Sequence, residues 1–252
     1  MEKNKNVEFI PFGFMCVPGM FVRDYGFRRH SYPFDWLESS LEHNIEMINC
    51  DFSDLLNEKY LSQPFPDHPN IVENTKWHLK FYHVFDPTKT YAQQKKRIQE
   101  YFHHRICNLS EAFAHSHVVL IRYVRDSSEM SWIKNNFGFL KSWLEAHNSE
   151  LWLIVNDGVT DSFPGCFRTF KATPNATFET TGEEIVFEDL KHNISNLYDC
   201  CSALYPKRER RLRVFKNRSR NAAGRIKSLL FGRHTKKSDS CLVFGDRKDE
   251  IK

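Results

Sequence analysis

The apolar run Val118–Tyr123 (VVLIRY) decides the fold, because a second run, Leu151–Asn156 (LWLIVN), follows it after a helical pattern over Ser128–His147. Before it come an alternating stretch, Trp77–Phe85, and another helical pattern, Tyr91–Ala114. Strand, long helix, strand, long helix, strand is the order of right-handed parallel crossovers. The sequence therefore predicts an α/β fold, in which a mixed, largely parallel sheet carries helices on both faces as three layers. A papain-like α+β arrangement is the alternative.

The flanking segments extend this pattern towards both ends of the chain. Val7–Phe14 predicts a strand that ends in a turn at Gly13, and Cys16–Tyr25 predicts a short helix. Residues 62–75, rich in proline and charge, predict a loop. Further elements are predicted as a helix at Leu37–Ile48, short strands of an antiparallel edge at Cys166–Ala172, Ala176–Thr180 and Ile185–Phe187, and a last helix at His192–Leu204.

The composition excludes several classes of protein. The chain has 252 residues, of which 40% are hydrophobic and 27% charged, so one domain can bury a core without disulfides or a structural metal. No G-x-G and no G-K-[ST] occurs, which excludes the dinucleotide fingerprint and the phosphate-binding P-loop. The sequence predicts an α/β domain over residues 1–205 and a basic amphipathic tail over residues 206–252.

Cysteines and histidines give no metal or disulfide pattern. The seven cysteines are irregularly spaced and Cys200 and Cys201 are adjacent, as expected of buried small side chains in a reducing compartment. His103 and Cys107 stand four residues apart on a predicted helix, but no H-E-x-x-H or C-x-x-C accompanies them. We therefore expect no metal and no cofactor. The N-terminus lacks a secretory signal, so we expect a cytoplasmic protein, with peripheral membrane association through the tail as an open alternative.

The basic tail is the strongest feature of the charge pattern. Lys207–Lys237 holds 13 Lys and Arg against one acid, Glu209, whereas the rest of the chain has 23 basic and 31 acidic residues. Five apolar residues fall on one helical face: Leu212, Phe215, Ala222, Ile226 and Leu229. Such a helix suits an anionic membrane surface. Docking onto the acidic body is the second interpretation, and nucleic acid is the least favoured.

Candidate catalytic residues stand where predicted strands end. Cys16 begins a predicted helix, where backbone N–H groups and the helix dipole favour thiolate over thiol. His83 could take the thiol proton, and Asp157 could orient its imidazole. Each residue also has a structural interpretation: Cys16 as packing, His83 as a hydrogen-bonded core residue and Asp157 as part of a turn.

Four further residues are candidates for substrate binding. Arg122 lies inside an apolar strand, where a cation must find an anion or face a cleft. With Arg29 it could clamp a phosphate or carboxylate, and Asp35 and Trp36 could complete the site; an internal ion pair is the alternative for Arg122. A nucleotide-sugar-dependent glycosyltransferase at a membrane surface would use these arginines for the diphosphate and Asp35 or Asp157 as the base.

The stretch Gly13–Cys16 (GFMC), followed by Phe27–Trp36 (FRRHSYPFDW), resembles the start of a family of papain-like cysteine peptidases from bacteria and viruses. Later blocks are similar too: Phe81–Phe85 (FYHVF), Lys95–Ile98 (KKRI) and Val119–Arg122 (VLIR).

This resemblance covers residues 7–160 and implies that Cys16 is the nucleophile and His83 the general base, in the chain order of papain. No family motif fixes the third residue, so Asp157 stays a prediction from the residues alone. The leading hypothesis is a thiol-dependent hydrolase or acyl transferase that acts on a peptide or amide bond of a peptide or small-molecule substrate. The alternatives are the glycosyltransferase and a non-catalytic interaction module whose tail binds a polyanion; the substrate and the oligomeric state stay open.

Overall fold

The computed structural model describes residues 6–14, 16–124, 126–156, 165–172, 194, 196–205, 207, 209–216 and 219. The strands are β1 (Val7–Pro11), β2 (Leu37–Glu38), β3 (Leu61–Ser62), β4 (Val72–Asn74), β5 (Leu79–Phe81), β6 (His117–Val124), β7 (Ser149–Asn156) and β8 (Phe167–Ala172). The helices are α1 (Val17–Asp24), α2 (Leu41–Asn49), α3 (Tyr91–His115), α4 (Ser127–Asn135), α5 (Phe137–Ala146) and α6 (Leu197–Leu204). A 3-10 turn covers Glu58–Tyr60.

The main sheet has the order β1-β6-β7-β8, and every neighbouring pair is parallel. β6 is buried along seven of its eight residues, as expected of a strand covered on both faces. Its side chains alternate between two cores: Leu120 contacts one cluster and Ile121 the other. The predicted parallel crossovers are therefore confirmed.

Helices cover both faces of this sheet. On one face, α3, α4 and α5 pack through residues such as Phe102, Ile133 and Leu144. On the other face, α1 and α6 pack through Phe21 and Leu197. The predicted three-layer α/β architecture is confirmed, and none of the described helices has the length and apolarity needed to cross a bilayer.

A second, antiparallel sheet, of order β2-β5-β4-β3, lies in the chain between α1 and α3. The sequence did not predict it, because β4 falls inside the stretch 62–75 assigned to a loop. The strand predicted over Trp77–Phe85 is reduced to the three residues of β5, since a turn at His78 with φ +46° precedes it. Val84 and Phe85 are adjacent and both buried in a bend, so the predicted strand alternation does not extend to them.

Three other features of the fold differ from the predictions. The helix predicted over Ser128–His147 is interrupted at Asn136, so it forms α4 and α5. The helix predicted from Leu37 begins at Leu41, after the cap residue Ser40. β8 pairs in parallel with β7 and not as an antiparallel edge, because this register places Phe167 and Phe170 in opposite cores. The strands predicted at 176–180 and 185–187 lie outside the described residues.

Two helical glycines allow a matched test of how tightly α1 packs. A Cβ on Gly19 would lie 2.6 Å from the carbonyl oxygen of Asp35, whereas a Cβ on Gly138 in α5 would meet no atom within 4 Å. We expect Gly19→Ala to lower the free energy of unfolding by about 1–3 kcal/mol through overpacking. Gly138→Ala should raise it by about 0.5–1 kcal/mol, because alanine favours the helix. Urea unfolding measures both, and equal effects would contradict this packing.

Candidate active site

The turn after β1 is fixed by hydrogen bonds to its backbone. The N–H of Phe12 donates to the carbonyl of Ile121 at 2.8 Å, which continues the sheet by one residue. Gly13 follows with φ +66°, and a Cβ there would lie 2.7 Å from an Arg122 nitrogen and 2.8 Å from the Ser39 hydroxyl. Only glycine fits this left-handed, crowded position without displacing its neighbours. The sequence Phe12-Gly13 thus sets the path of the chain into α1.

Arg122 binds the backbone of this turn. Its guanidinium, fully buried, donates to the carbonyl oxygens of Phe12 at 2.8 Å and Ser39 at 2.7 Å. It also forms a 2.6 Å ion pair with Glu129 at the start of α4. One side chain therefore joins the ends of β1, β2 and β6 to α4, which favours the internal ion pair over a substrate clamp for Arg122.

Cys16 occupies the N-cap position of α1 and is half-buried. Its carbonyl accepts the first hydrogen bond of the helix, from the N–H of Met20 at 2.7 Å. The residues Val17 to Met20 carry no acid, so no carboxylate in this turn opposes a negative charge at the helix start. None of the six described cysteines forms a disulfide.

His83 is exposed and lies two residues beyond β5. The alternative interpretation of His83 as a core residue is therefore wrong. β5 pairs with β2 so that Phe81 lies opposite Leu37, which follows Trp36 in the chain. A Cβ on Gly19 of α1 would lie 3.7 Å from the Trp36 indole, so Trp36 and Leu37 connect the helix that begins at Cys16 to the strand that precedes His83.

Asp35 is fully buried and serves as an anchor inside the protein. Its Oδ2 accepts hydrogen bonds from Arg28 at 2.6 Å, from Arg105 at 3.0 Å and from the N–H of Tyr32 at 3.2 Å. Arg105 belongs to α3, so the carboxylate ties the segment before β2 to the long helix. Two guanidinium groups on one buried carboxylate satisfy its charge without any substrate.

Trp36 and Arg29 also have partners within the protein. The guanidinium groups of Arg23 and Arg28 lie over the buried indole of Trp36, at 5.6 Å and 5.9 Å from the ring centre. Arg29 donates to Glu8 at 3.2 Å and to the hydroxyl of Tyr205 at 2.8 Å. The predicted substrate-binding residues of this stretch therefore hold the fold around α1.

Glu8 is a second buried carboxylate and lies in β1. Its other oxygen accepts from the hydroxyl of Tyr32 at 2.9 Å. Burial, followed by the charge of Glu8, raises the pKa of Tyr32, which stays protonated and continues to donate at every physiological pH. Tyr32 thus connects the two buried carboxylates, because its hydroxyl binds Glu8 and its backbone N–H binds Asp35.

Sequence analysis missed the polar residues around Gly13. Asn44, fully buried on α2, donates to the carbonyl of Phe12 at 3.0 Å. Its position between Leu41 and Ile45 on an apolar helical face was the available signal. Ser40 caps α2 and its hydroxyl lies 2.9 Å from Nδ1 of His43. Asp157, the third predicted catalytic residue, lies outside the described residues.

Two surface cavities lie away from this turn. One of about 550 Å³ is lined by residues including Asn6, His117 and Asn148, and the other, of about 310 Å³, by residues including Phe52 and His103. Neither is lined by Cys16 or His83. The candidate site is therefore identified by the geometry of the turn that leads to Cys16.

A three-layer α/β domain with a cysteine at a helix N-cap defines a candidate thiol enzyme. The chain belongs to the family described as "Putative papain-like cysteine peptidase (DUF1796)", whose model matches residues 7–153. The match runs from β1 into β7 and confirms the family resemblance seen in the sequence. Searches of curated proteins and of solved structures give no significant match.

The role of Arg122 in holding the turn can be measured. We expect Arg122→Met to lower the free energy of unfolding by about 3–5 kcal/mol, because it leaves Glu129 and the Ser39 carbonyl without this donor and removes one of the two donors to the Phe12 carbonyl. Arg122→Lys should recover part of this loss, since an ammonium keeps the charge but lacks the planar fork.

Arg168→Met is the matched control. Arg168 is half-exposed and lies 3.6 Å from Glu150, so its loss should cost less than about 1 kcal/mol. Urea unfolding monitored by circular dichroism compares the variants. A loss for Arg122→Met no greater than that of the control would contradict the structural role.

Proposed function

We propose that this protein is a thiol-dependent hydrolase or acyl transferase that acts on a peptide or amide bond. Cys16 is the nucleophile and His83 the general base. The observation that carries the proposal is the position of Cys16 at the N-cap of α1, in a turn held by buried hydrogen bonds. Membership of the papain-like family supports the same class of chemistry.

In the proposed reaction, the imidazole of His83 accepts the proton of the Cys16 thiol. The thiolate attacks the substrate carbonyl carbon, and backbone N–H groups at the start of α1 stabilise the oxyanion that forms. The imidazolium then gives its proton to the leaving amine as the C–N bond breaks, which leaves a thioester on Cys16. Water hydrolyses the thioester, or an acceptor amine or hydroxyl takes the acyl group.

The remaining groups position these two residues. Arg122 and Asn44 bind the same carbonyl of Phe12 and so fix the turn that leads to Cys16. Asp157 is proposed to orient the imidazole, as its place after β7 suggests. Preorganisation of this kind is required because the thiol must stay within hydrogen-bond reach of its base.

The glycosyltransferase alternative has less support from the contacts. It requires Arg29 and Arg122 to hold a diphosphate, yet both are paired with protein carboxylates, Glu8 and Glu129. It also requires Asp35 as a base, and the bound oxygen of that buried carboxylate already accepts from two arginines. That oxygen is therefore engaged inside the protein, where Asp35 is fully buried.

Thiol reactivity distinguishes a nucleophilic Cys16 from a packing residue. We expect iodoacetamide at about pH 6 to alkylate Cys16 at least about tenfold faster than Cys50 or Cys107, because only an activated cysteine holds much thiolate at that pH. Exposure alone would make Cys50 and Cys107 react faster than Cys16, because they are exposed and Cys16 is half-buried. Peptide mapping by mass spectrometry gives the three rates.

The contribution of His83 to this reactivity has its own control. His83→Gln should bring the alkylation rate of Cys16 close to that of the exposed thiols at the same pH. His68→Gln removes another exposed histidine and should change nothing. Faster labelling of Cys50 or Cys107 than of Cys16 in the native protein would refute the proposal that Cys16 is activated as a thiolate.

The reaction itself is tested with a library of quenched fluorescent peptides. Cys16→Ser should lower kcat by about a thousandfold or more while the melting temperature is unchanged, and Cys50→Ser should have no effect on kcat. If instead a nucleoside diphosphate raises the melting temperature of Cys16→Ala, and no peptide is cleaved, the glycosyltransferase gains the support that the thiol mechanism loses.

A further inference from the structure

Exposed apolar side chains are concentrated near the start of the basic tail. Among the described residues, the large apolar side chains that are exposed are Phe139, Leu204, Leu212 and Phe215. Three of the four lie between Leu204 and Phe215, and the last two are the most exposed, at 63% and 73%. Exposed apolar side chains that cluster in this way mark an interaction surface.

The tail helix, of which residues 207, 209–216 and 219 are described, is docked on the domain by one face. A Cβ on Gly26 would lie 2.7 Å from the carbonyl of Arg210 and 2.8 Å from Val214, so only glycine permits this approach. Arg213 donates to the carbonyl of Arg28 at 3.2 Å. These three residues, spaced three and four apart, form the docked face of the helix.

The opposite face of the tail helix is directed away from the domain. At 100° per residue, Leu212, Phe215 and Ser219 lie on the side facing away from Arg210, and all three are exposed. Arg211 and Lys216, also exposed, lie on either flank of the two apolar residues. The one acid, Glu209, is paired with Arg29 and Arg213, so it does not offset these flanking cations.

We propose that this outer face is a docking surface for an anionic lipid bilayer. Leu212 and Phe215 enter the boundary between headgroups and acyl chains, and Arg211 and Lys216 bind lipid phosphates on either side. An apolar pair flanked by cations on one helical face is the arrangement of helices that lie in a membrane interface. The attraction of each basic residue for an anionic leaflet adds to the insertion of the apolar pair.

Two features favour lipid over nucleic acid as the partner. Leu212, one of the two exposed apolar residues of this face, is aliphatic and cannot stack on bases. The rest of the chain outside the tail has more acidic than basic residues, which disfavours a long polyanion that extends beyond the helix. A bilayer, by contrast, needs to contact only the outer face of the tail helix.

The docking also gives the bilayer a defined orientation relative to the candidate site. Gly26 follows α1 by two residues, and Arg28 belongs to the Asp35 cluster. A membrane bound to the outer face is thus rigidly connected to the helix that begins at Cys16. The surface and its ligand are independent of the chemistry proposed for that cysteine.

The test is co-sedimentation of the full chain with vesicles of phosphatidylcholine, either alone or with about one-third phosphatidylserine. We expect binding to the anionic vesicles that weakens as salt is added, and little binding to the neutral ones. Leu212→Ser with Phe215→Ser should weaken binding to anionic vesicles by about tenfold or more. Arg211→Glu with Lys216→Glu should abolish the preference for phosphatidylserine.

Phe139→Ser is the matched control, because Phe139 is also half-exposed but lies on α5. It should bind vesicles as the native chain does, and so should Cys16→Ser, which separates this proposal from the thiol mechanism. Unchanged melting temperatures show that the tail variants fold.

Three results would overturn the proposal. One is equal vesicle binding by the native chain and the Leu212/Phe215 variant. Another is concentration-dependent dimerisation that this variant removes while vesicles are not bound. The third is retention of single-stranded nucleic acid in place of vesicles.

Discussion

The buried guanidinium of Arg122 is the interaction on which the rest of the structure depends. It lies in the central part of the sheet, where water is excluded, and each of its donor groups points to a different element: the turn after β1, the end of β2 and the start of α4. A buried cation is costly unless every partner is present. The same fork that neutralises Glu129 therefore also fixes the path of the chain from Phe12 to Cys16.

The segment that carries the family motif works in a similar way. Asp35 binds Arg105 of α3, and Tyr32, three residues earlier, connects this carboxylate to Glu8 of β1, because its N–H binds Asp35 and its hydroxyl binds Glu8. The ring of Trp36 contacts the guanidinium groups of Arg23, in α1, and Arg28. The motif residues Asp35 and Trp36, which were predicted to bind substrate, thus contact other residues of the protein. The proposed chemistry belongs to Cys16.

Predictions from the sequence were most successful for the long strands that are continuously apolar. β6 and β7 are apolar on both faces, so their pattern depends little on the rest of the chain. The second sheet was missed because its strands have only two or three residues each, and β5 also pairs with β2, which lies far earlier in the chain. In the sequence His83 is in phase with Leu79, Phe81 and Phe85, but the strand ends at Phe81, so this phase does not extend to His83.

The sequence by itself determined the three-layer α/β class, the family and the identity of Cys16 as the residue at a helix start, because these follow from local periodicity and from motif letters. Only the tertiary structure decided that Arg122, Arg29 and Asp35 are bound to protein partners. Whether a charged side chain faces a cleft or another charge depends on groups many residues away, such as Arg105 for Asp35. Local patterns hold no information on such pairings, since burial of a charge and its neutralisation are properties of the packed chain.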